Sequence, residues 1–372
     1  MKKVRIGVLG LGNIGKAHVK TIVAGHCPDA EVTAVCDGHP AQLEWAKSVL
    51  PASAGFFDNA GAMLESGLID ALLVAVPHFD HPKYAMAGFS RGLHVMLEKP
   101  VGVYTKQVRE VNEAADKAGV VFGVMFNQRT DHIYRKMREL VRGGELGAIR
   151  RTNWIITNWY RSQAYYNSGD WRATWAGEGG GVLLNQCPHN LDLWQWICGM
   201  PVKIDAHLHY GKWHDIEVED DVTAYVEYGN GATGVFITST GDYPGTNRFE
   251  VTMEGGQLVT EDNKLFLRKL STPLERFSRE NTAPFGSPDM ECIEVGTDGQ
   301  SVQHTGVLNS FAGAILRGEP LVADGREGIQ GLTLSNAMHL SSFTGAPVTL
   351  PLDEELYYSE LMKRIAKSRF VK

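Results

Sequence analysis

Three groups of residues in this 372-residue chain have the types and the spacing to do chemistry. The first lies in GEGGGVLLNQCPHNLD, residues 177–192, where three consecutive glycines lead into Asn185 and His189. Consecutive glycines cost backbone entropy unless something must approach the chain closely or φ must be positive. Histidine changes charge near neutral pH, so His189 can exchange a proton without help from its surroundings. At helical spacing, i and i+4 point the same way, which lets Asn185 and His189 reach one substrate. Pro188 inside such a helix would free the Leu184 carbonyl and bend the turn.

The second group is Glu98-Lys99, just before Pro100 and just after the apolar run HVML. Ligands of open α/β sheets sit outside the carboxyl ends of the strands, so this charged pair is expected to face a cofactor crevice. The third is Gly10-Leu11-Gly12-Asn13-Ile14-Gly15, with Asp37 22 residues beyond Gly15. Between a strand and a helix this pattern is a dinucleotide fingerprint. Gly10 permits the tight turn, and Gly12 lets a pyrophosphate reach the backbone. Asn13, Ile14 and Gly15 open a helix whose N-terminus supplies unpaired N–H groups and partial positive charge. Asp37 accepts from a ribose hydroxyl and repels a 2′-phosphate, and neither Gly38 nor His39 is an arginine that could receive one. NAD is therefore expected in preference to NADP.

The chemistry these groups suit is hydride transfer. Oxidising a secondary alcohol removes a proton from oxygen as hydride leaves carbon, so a base must stand within hydrogen-bond reach of the hydroxyl. His189 fits that role. Lys99 has two routes open: a pKa lowered by burial beside a cationic nicotinamide, or a retained charge that stabilises developing alkoxide.

The elements that must hold these residues alternate from residue 4 onward: VRIGVLG, EVTAVCD, ALLVAVP, HVMLEKP and VVFGVMF, with helical patterns between them. Short β-branched runs without polar alternation are what strands buried on both faces look like, which predicts a doubly wound parallel sheet over residues 1–125. Beyond that point period-2 stretches such as DVTAYVEYGNGATGVFITST predict an α+β second domain, 126–372, with a large open, mostly antiparallel sheet. Asn230-Gly231 reads as a type I′ hairpin turn. Helical patterns return at GVLNSFAGAILRG, GIQGLTLSNAMHLSSF and LDEELYYSELMKRIAKSRF.

Composition narrows the partners. The formal net charge is −7 and Lys and Arg are scattered, so neither nucleic acid nor an anionic membrane is expected as a partner. No segment approaches the roughly 18 apolar residues of a membrane span, and the short run after Met1-Lys2-Lys3 reads as a first strand rather than a signal peptide. Five widely spread cysteines without a C-x-x-C argue for reduced thiols and a cytoplasmic location.

Taken together and in order, GLGNIGKAH, VPHFDH, EKP and the GGG…H…D segment resemble the glucose-fructose oxidoreductase and inositol dehydrogenase family of NAD(P)-dependent sugar dehydrogenases. The resemblance implies an N-terminal Rossmann domain, a C-terminal substrate and oligomerisation domain, and a cofactor at their junction. It also implies that Glu98 and Lys99 lie by the nicotinamide with the lysine near substrate, and that the bond before Pro100 can be cis. His189 falls on the acid/base histidine, Pro77, His78 and His81 on a segment lining the nicotinamide side, and Arg129 on a substrate-side arginine. Asn185 is a departure, because the commonest pattern has aspartate there. An amide cannot raise a neighbouring imidazole's pKa as a carboxylate does, so the substrate hydroxyl contacted and the pH optimum are where this chain would differ.

The aromatic run from Trp159 to Trp175, rich in Arg, Asn and Asp, has the makeup of a sugar platform, with Tyr160 and Arg172 as its candidate contacts. His207, His209 and His214 lack the carboxylate or cysteine cluster that would complete a metal site, and no metal is expected. The reading is an NAD-dependent dehydrogenase of a sugar, inositol or related polyol. An NAD-using glycosidase that works by transient oxidation and a catalytically silent dinucleotide and sugar sensor are the alternatives. A sensor needs no acid/base pair, which counts against it. A broad sheet face that needs covering predicts a homodimer or homotetramer.

Overall fold

The computed structural model describes residues 3–369. They divide into two compact units, 3–130 with 302–332, and 131–301 with 333–369. In the first, β1 (Val4–Leu9), β2 (Ala30–Cys36), β3 (Gly55–Phe57), β4 (Ala71–Val74), β5 (His94–Leu97) and β6 (Phe122–Val124) alternate with α1 (Asn13–Val23), α2 (Pro40–Val49), α3 (Ala60–Glu65), α4 (His81–Phe89) and α5 (Thr105–Ala118). All pairings are parallel and the strand order is β3-β2-β1-β4-β5-β6, the doubly wound arrangement with its order reversal beside β1. β3 has only three residues, too few for the apolar runs of the sequence to reveal it.

The second unit carries α6 (His132–Arg142), β7 (Ile149–Ile156), α7 (Gln163–Tyr166), α8 (Pro188–Cys198), β8 (Lys203–Tyr210), β9 (Glu219–Glu227), β10 (Thr233–Ser239), β11 (Asn247–Met253), β12 (Gly256–Glu261), β13 (Lys264–Leu270), α9 (Leu274–Glu280) and β14 (Met290–Glu294). After it come α10 (Gln303–Arg317), α11 (Gly328–Thr344), β15 (Val348–Thr349) and α12 (Glu354–Ile365). Nine strands form one sheet in the order β14-β13-β12-β11-β7-β10-β9-β8-β15, antiparallel except where β10 runs parallel to β7. The helical pattern read to Phe370 ends at Ile365, and Phe370 itself lies outside the described residues.

Packing explains why α10 belongs with the first unit although its sequence falls in the expected second domain. Val307, Leu308, Phe311 and Ala312 recur at i, i+1, i+4 and i+5, and they are buried in the same cluster as Val4, Ile6 and Val8 of β1. The unit boundary then falls inside α11, at Leu332/Thr333.

The hairpin at Asn230-Gly231 exists, but its turn is not type I′. Of the two residues only Gly231 has a positive φ (85°), and the Gly231 N–H donates to the Tyr228 carbonyl at 2.9 Å, closing a three-residue loop. Asn230 is held by its side chain, which donates to Ile149 O and accepts from Ala232 N. The turn with two positive φ values is Asp262-Asn263 (51° and 56°), joining β12 to β13 with Glu261 opposite Lys264.

In the core of the second unit, Trp154 of β7 stacks on Phe249 of β11 with ring centroids 4.3 Å apart, and Trp194 of α8 stacks on Phe236 of β10 at 5.3 Å. Both indole N–H groups are satisfied, Trp154 by Asn247 Oδ1 and Trp194 by Thr152 Oγ1. The Trp194–Phe236 stack seats α8 on the sheet, and Trp154 packs edge-on against the same Phe236. Trp154→Ala should therefore lower the unfolding free energy by about 3–5 kcal/mol, read by urea unfolding. A loss under about 1 kcal/mol would show that the stack is not part of the core.

Candidate active site

The turn after β1 is built for close approach. Gly10 has φ 91°, and a Cβ there would stand 2.4 Å from Ala75 O; at Gly15 it would stand 1.9 Å from Gly10 O. At Gly12 nothing lies within 4 Å, so the backbone is open on that side. Gly12 caps α1 without a side-chain hydrogen bond to the first turn, which leaves Asn13, Ile14 and Gly15 leading a helix end of the kind that holds a phosphate. Asp37 fastens this turn: its carboxylate accepts from Leu11 N at 2.7 Å and from His39 N at 2.8 Å, and each oxygen keeps lone pairs for a further donor. These features fit a dinucleotide.

At the end of β5 the chain from 95 to 103 is buried except for Lys99. Glu98 points inward, 6% exposed, with Oε1 2.6 Å from His18 Nε2 of α1 and Oε2 accepting the Lys99 N–H at 3.2 Å. The His18 ring is edge-on to His304 of α10, with centroids 5.6 Å apart. Burial pushes the Glu98 carboxyl up, but the hydrogen bond and charge of His18, with Lys99 and His304, outweigh it and hold the carboxyl down at about 2. The Lys99-Pro100 bond is cis, as the resemblance allows. His304 is pushed down by burial despite Glu98.

His81 heads α4 and is enclosed, with ring nitrogens 2.6 Å from Pro100 O and 2.8 Å from Val76 O. Burial lowers its pKa, so the ring ties the loop after β5 to the loop after β4 rather than standing open. Pro77 is exposed, while His78 is buried, its ring 6.0 Å from that of His81. Arg129, just after β6, is 2% exposed, packs over the Phe126 ring and forms an ion pair with Glu327.

In the second unit, every residue from 177 to 192 is buried except Asn185 and His189. Two carboxylates hold this stretch. Glu219, at the start of β9 and fully buried, accepts from Gly181 N at 2.9 Å and Leu183 N at 3.0 Å, and meets His339 Nε2 of α11 at 2.9 Å. Its own carbonyl receives Val182 N at 3.0 Å. The glycine run is explained by this approach, since a Cβ at Gly181 would stand 2.0 Å from Glu219 O and Gly179 takes φ 82°. Glu178, 1% exposed, accepts from Ala173 N at 2.6 Å and from the Asn185 side-chain amide.

Asn185 and His189 are not an i, i+4 pair of one helix. Asn185 sits in a turn closed by its N–H to Gly181 O at 2.9 Å, and α8 begins at Pro188. Proline at the first helical position frees no carbonyl and bends nothing, because that N–H has no helical partner in any case. His189 is thus the second residue of α8. The Arg172 guanidinium lies over the Tyr165 and Trp171 rings, 4.6 Å from each centroid, donates to the Tyr165 hydroxyl at 2.9 Å and stands 3.9 Å from Glu178. Tyr160 is 48% exposed and edge-on to Tyr243.

His209 meets Asp221 at 3.0 Å, and His214 bridges Asp220 and Arg161 O. Among the described residues, no group of three or more His, Cys, Asp or Glu side chains is placed to hold a metal. Sequence reasoning missed His18, His304, Glu178, Glu219 and His339. For Glu178 the only signal was a carboxylate set among glycines.

Glu98 makes stability depend on acid. Its folded value of about 2 lies below the ordinary 4.5, so its contribution, on the order of 3 kcal/mol, is present above pH 4.5 and lost as pH falls toward 2. Urea midpoints between pH 5 and 3 should fall less for Glu98→Gln than for wild type, and parallel curves would show that the ion pair carries no such linkage.

Two family models match the chain. The oxidoreductase family with an NAD-binding Rossmann fold covers residues 4–126, and the GFO/IDH/MocA C-terminal domain covers 134–259. The rhizopine catabolism protein MocA of Rhizobium meliloti is 27% identical over 200 residues, 54% of this chain and 58% of that protein, so the match spans little more than half of that relative. Myo-inositol 2-dehydrogenase of Thermotoga maritima is 26% identical over 268 residues, 69% of this chain and 75% of that protein. Among solved structures, the WlbA dehydrogenase of Bordetella pertussis, in complex with NADH and UDP-GlcNAcA, superposes with a TM-score of 0.80 at 27% identity, covering 95% of this chain and 100% of that one. With both of its units matched and the nucleotide turn and parallel sheet in place, the chain belongs to the GFO/IDH/MocA family of oxidoreductases with an NAD-binding Rossmann fold.

Proposed function

We propose that this protein is an NAD-dependent dehydrogenase that oxidises a secondary alcohol of a sugar, inositol or related polyol. The observation that carries the reading is the partial exposure of Lys99, Asn185 and His189, each polar and each set in a stretch whose other residues are buried. Burying a frame of this kind orders its few exposed side chains, which is what positioning a reacting group requires. Bound NAD would supply the hydride acceptor.

His189 takes the hydroxyl proton. It is the second residue of α8, so the start of the helix fixes where the ring stands. The Lys99 ammonium steadies the negative charge that develops on the substrate oxygen. Gly10, Gly12 and the open end of α1 hold the pyrophosphate, and Asp37 takes the ribose hydroxyls, which favours NAD over NADP. Arg172 and Tyr160 are the sugar contacts, the first already stacked on aromatic rings. The sugar and polyol names among the relatives support this substrate class. Four buried cysteines that form no disulfide fit a reducing cytoplasm, and no helix among the described residues is long and apolar enough to cross a membrane.

With a panel of sugars, inositols and sugar acids, NADH should form at 340 nm with at least one polyol class, faster than NADPH. Lys99→Met and His189→Ala should each lower kcat/KM by about 100-fold or more. Values within a few-fold of wild type for both variants would end this assignment.

The outward sheet face supports self-association. Ile155 (37% exposed) lies opposite Ile237 and Tyr225 (42% exposed) opposite Val235, an apolar patch across β7, β10 and β9. A homodimer or homotetramer should appear in light scattering at micromolar protein, and Tyr225→Glu should weaken it. A wild-type monomer would remove the proposal.

A further inference from the structure

We propose that Glu178 is a positioning residue: it holds the Asn185 amide in one orientation, nitrogen inward and oxygen presented, so that residue 185 meets the substrate as a neutral hydrogen-bond acceptor. The inference deepens the functional reading above and rests on it for the identity of the group that Asn185 meets.

An asparagine amide has two nearly isosteric ends, one a double donor and one an acceptor, and a half-turn about the last side-chain bond exchanges them. Which end faces the substrate decides whether a hydroxyl must donate or accept. Glu178 removes that freedom. Its carboxylate is 1% exposed, Oε2 accepts from Ala173 N at 2.6 Å, and Oε1 accepts from Asn185 Nδ2. The Arg172 guanidinium, 3.9 Å from Oε1, keeps positive charge beside it. Both carboxylate oxygens are thus already engaged as acceptors, with a cation beside them. An amide oxygen turned toward this carboxylate would face a second acceptor with no hydrogen between them.

The backbone beside Glu178 is shaped to hold that carboxylate in place. Ala173 is one of only four non-glycine described residues with positive φ, at 52°, and that conformation delivers its N–H to Glu178. Strain of this sort persists only where the surrounding structure over-determines it. A Cβ at Gly177 would stand 2.2 Å from Trp171 O, so the turn from 171 to 178 has no room for a side chain at 177. The Asn185 N–H to Gly181 O bond fixes the other side.

The pair can be tested by exchanging its two groups. Glu178→Gln offers Asn185 either a donor or an acceptor and so releases the orientation. Asn185→Asp puts two carboxylates together, and they must share a proton. The double exchange E178Q/N185D restores one amide and one carboxylate with the bond reversed and an acceptor still presented. The four proteins are compared by melting temperature, which needs no substrate, by NADH affinity, and by kcat/KM against pH with the polyol that the wild type uses.

Each single variant should melt lower than wild type and lose about 10- to 100-fold in kcat/KM with NADH affinity unchanged. The double exchange should regain most of the melting temperature and come within about fivefold of wild-type kcat/KM at its own optimum. The inference is overturned if Glu178→Gln stays within twofold of wild type in kcat/KM, or if the double exchange fails to recover either readout. A wild type that reduces no NAD with any polyol while melting temperatures recover in the double exchange removes the functional reading and leaves the positioning role standing. Melting temperatures that do not recover remove the positioning role whatever the activity.

Discussion

The second unit depends on one buried carboxylate. Glu219 has no contact with water, and its two oxygens gather Gly181 N, Leu183 N and His339 Nε2, three groups from two other parts of the chain. A buried carboxyl group is tolerated only when its hydrogen bonds are satisfied, and removing one of its partners leaves a polar atom unmet in the dry interior. The arrangement is therefore close to all-or-none. It pins the glycine run against β9, and from that fixed edge the chain has only a few residues in which to turn, bring out Asn185 and begin α8 at Pro188.

Glu98 plays a comparable part in the first unit. Its bond to His18 ties the end of β5 to the helix that opens at the nucleotide turn, and its second oxygen holds the Lys99 backbone. His81 adds a second tie between the loops after β4 and β5. The half-exposed lysine is presented by a loop whose other polar groups are spent inside the protein. In both units a buried carboxylate holds the chain beside the partly exposed residues proposed to react.

Much of the fold was legible in the sequence, for a physical reason. Strands buried on both faces must be apolar without alternation, so β1, β2, β4, β5 and β6 declare themselves, whereas the three residues of β3 carry too little pattern. The return of α10 to the first unit was not legible, because an apolar helix face reads the same whichever sheet it covers. Asn230-Gly231 marked a hairpin correctly and its turn type wrongly, since the extra loop residue and the asparagine side-chain bonds, not the dipeptide, set the backbone. The expected helical pairing of Asn185 with His189 failed in the same way: spacing does not say where a helix starts.

What the sequence determined by itself is whatever the backbone needs locally. The nucleotide turn requires glycine at 10 and 15 because no Cβ fits there, and the acid at 37 follows from the length of one βαβ unit, so both can be read from spacing alone. The residues proposed to react, Lys99 and His189, were also recoverable, because few side chains suit the chemistry. Only the tertiary structure decided what holds them. His18 and Glu98 are 80 positions apart, Gly181 and Glu219 are 38 apart, and Glu219 and His339 are 120 apart. A carboxylate's partner at such distances is chosen by packing, which brings donors to it in the dry interior where leaving it alone would be too costly.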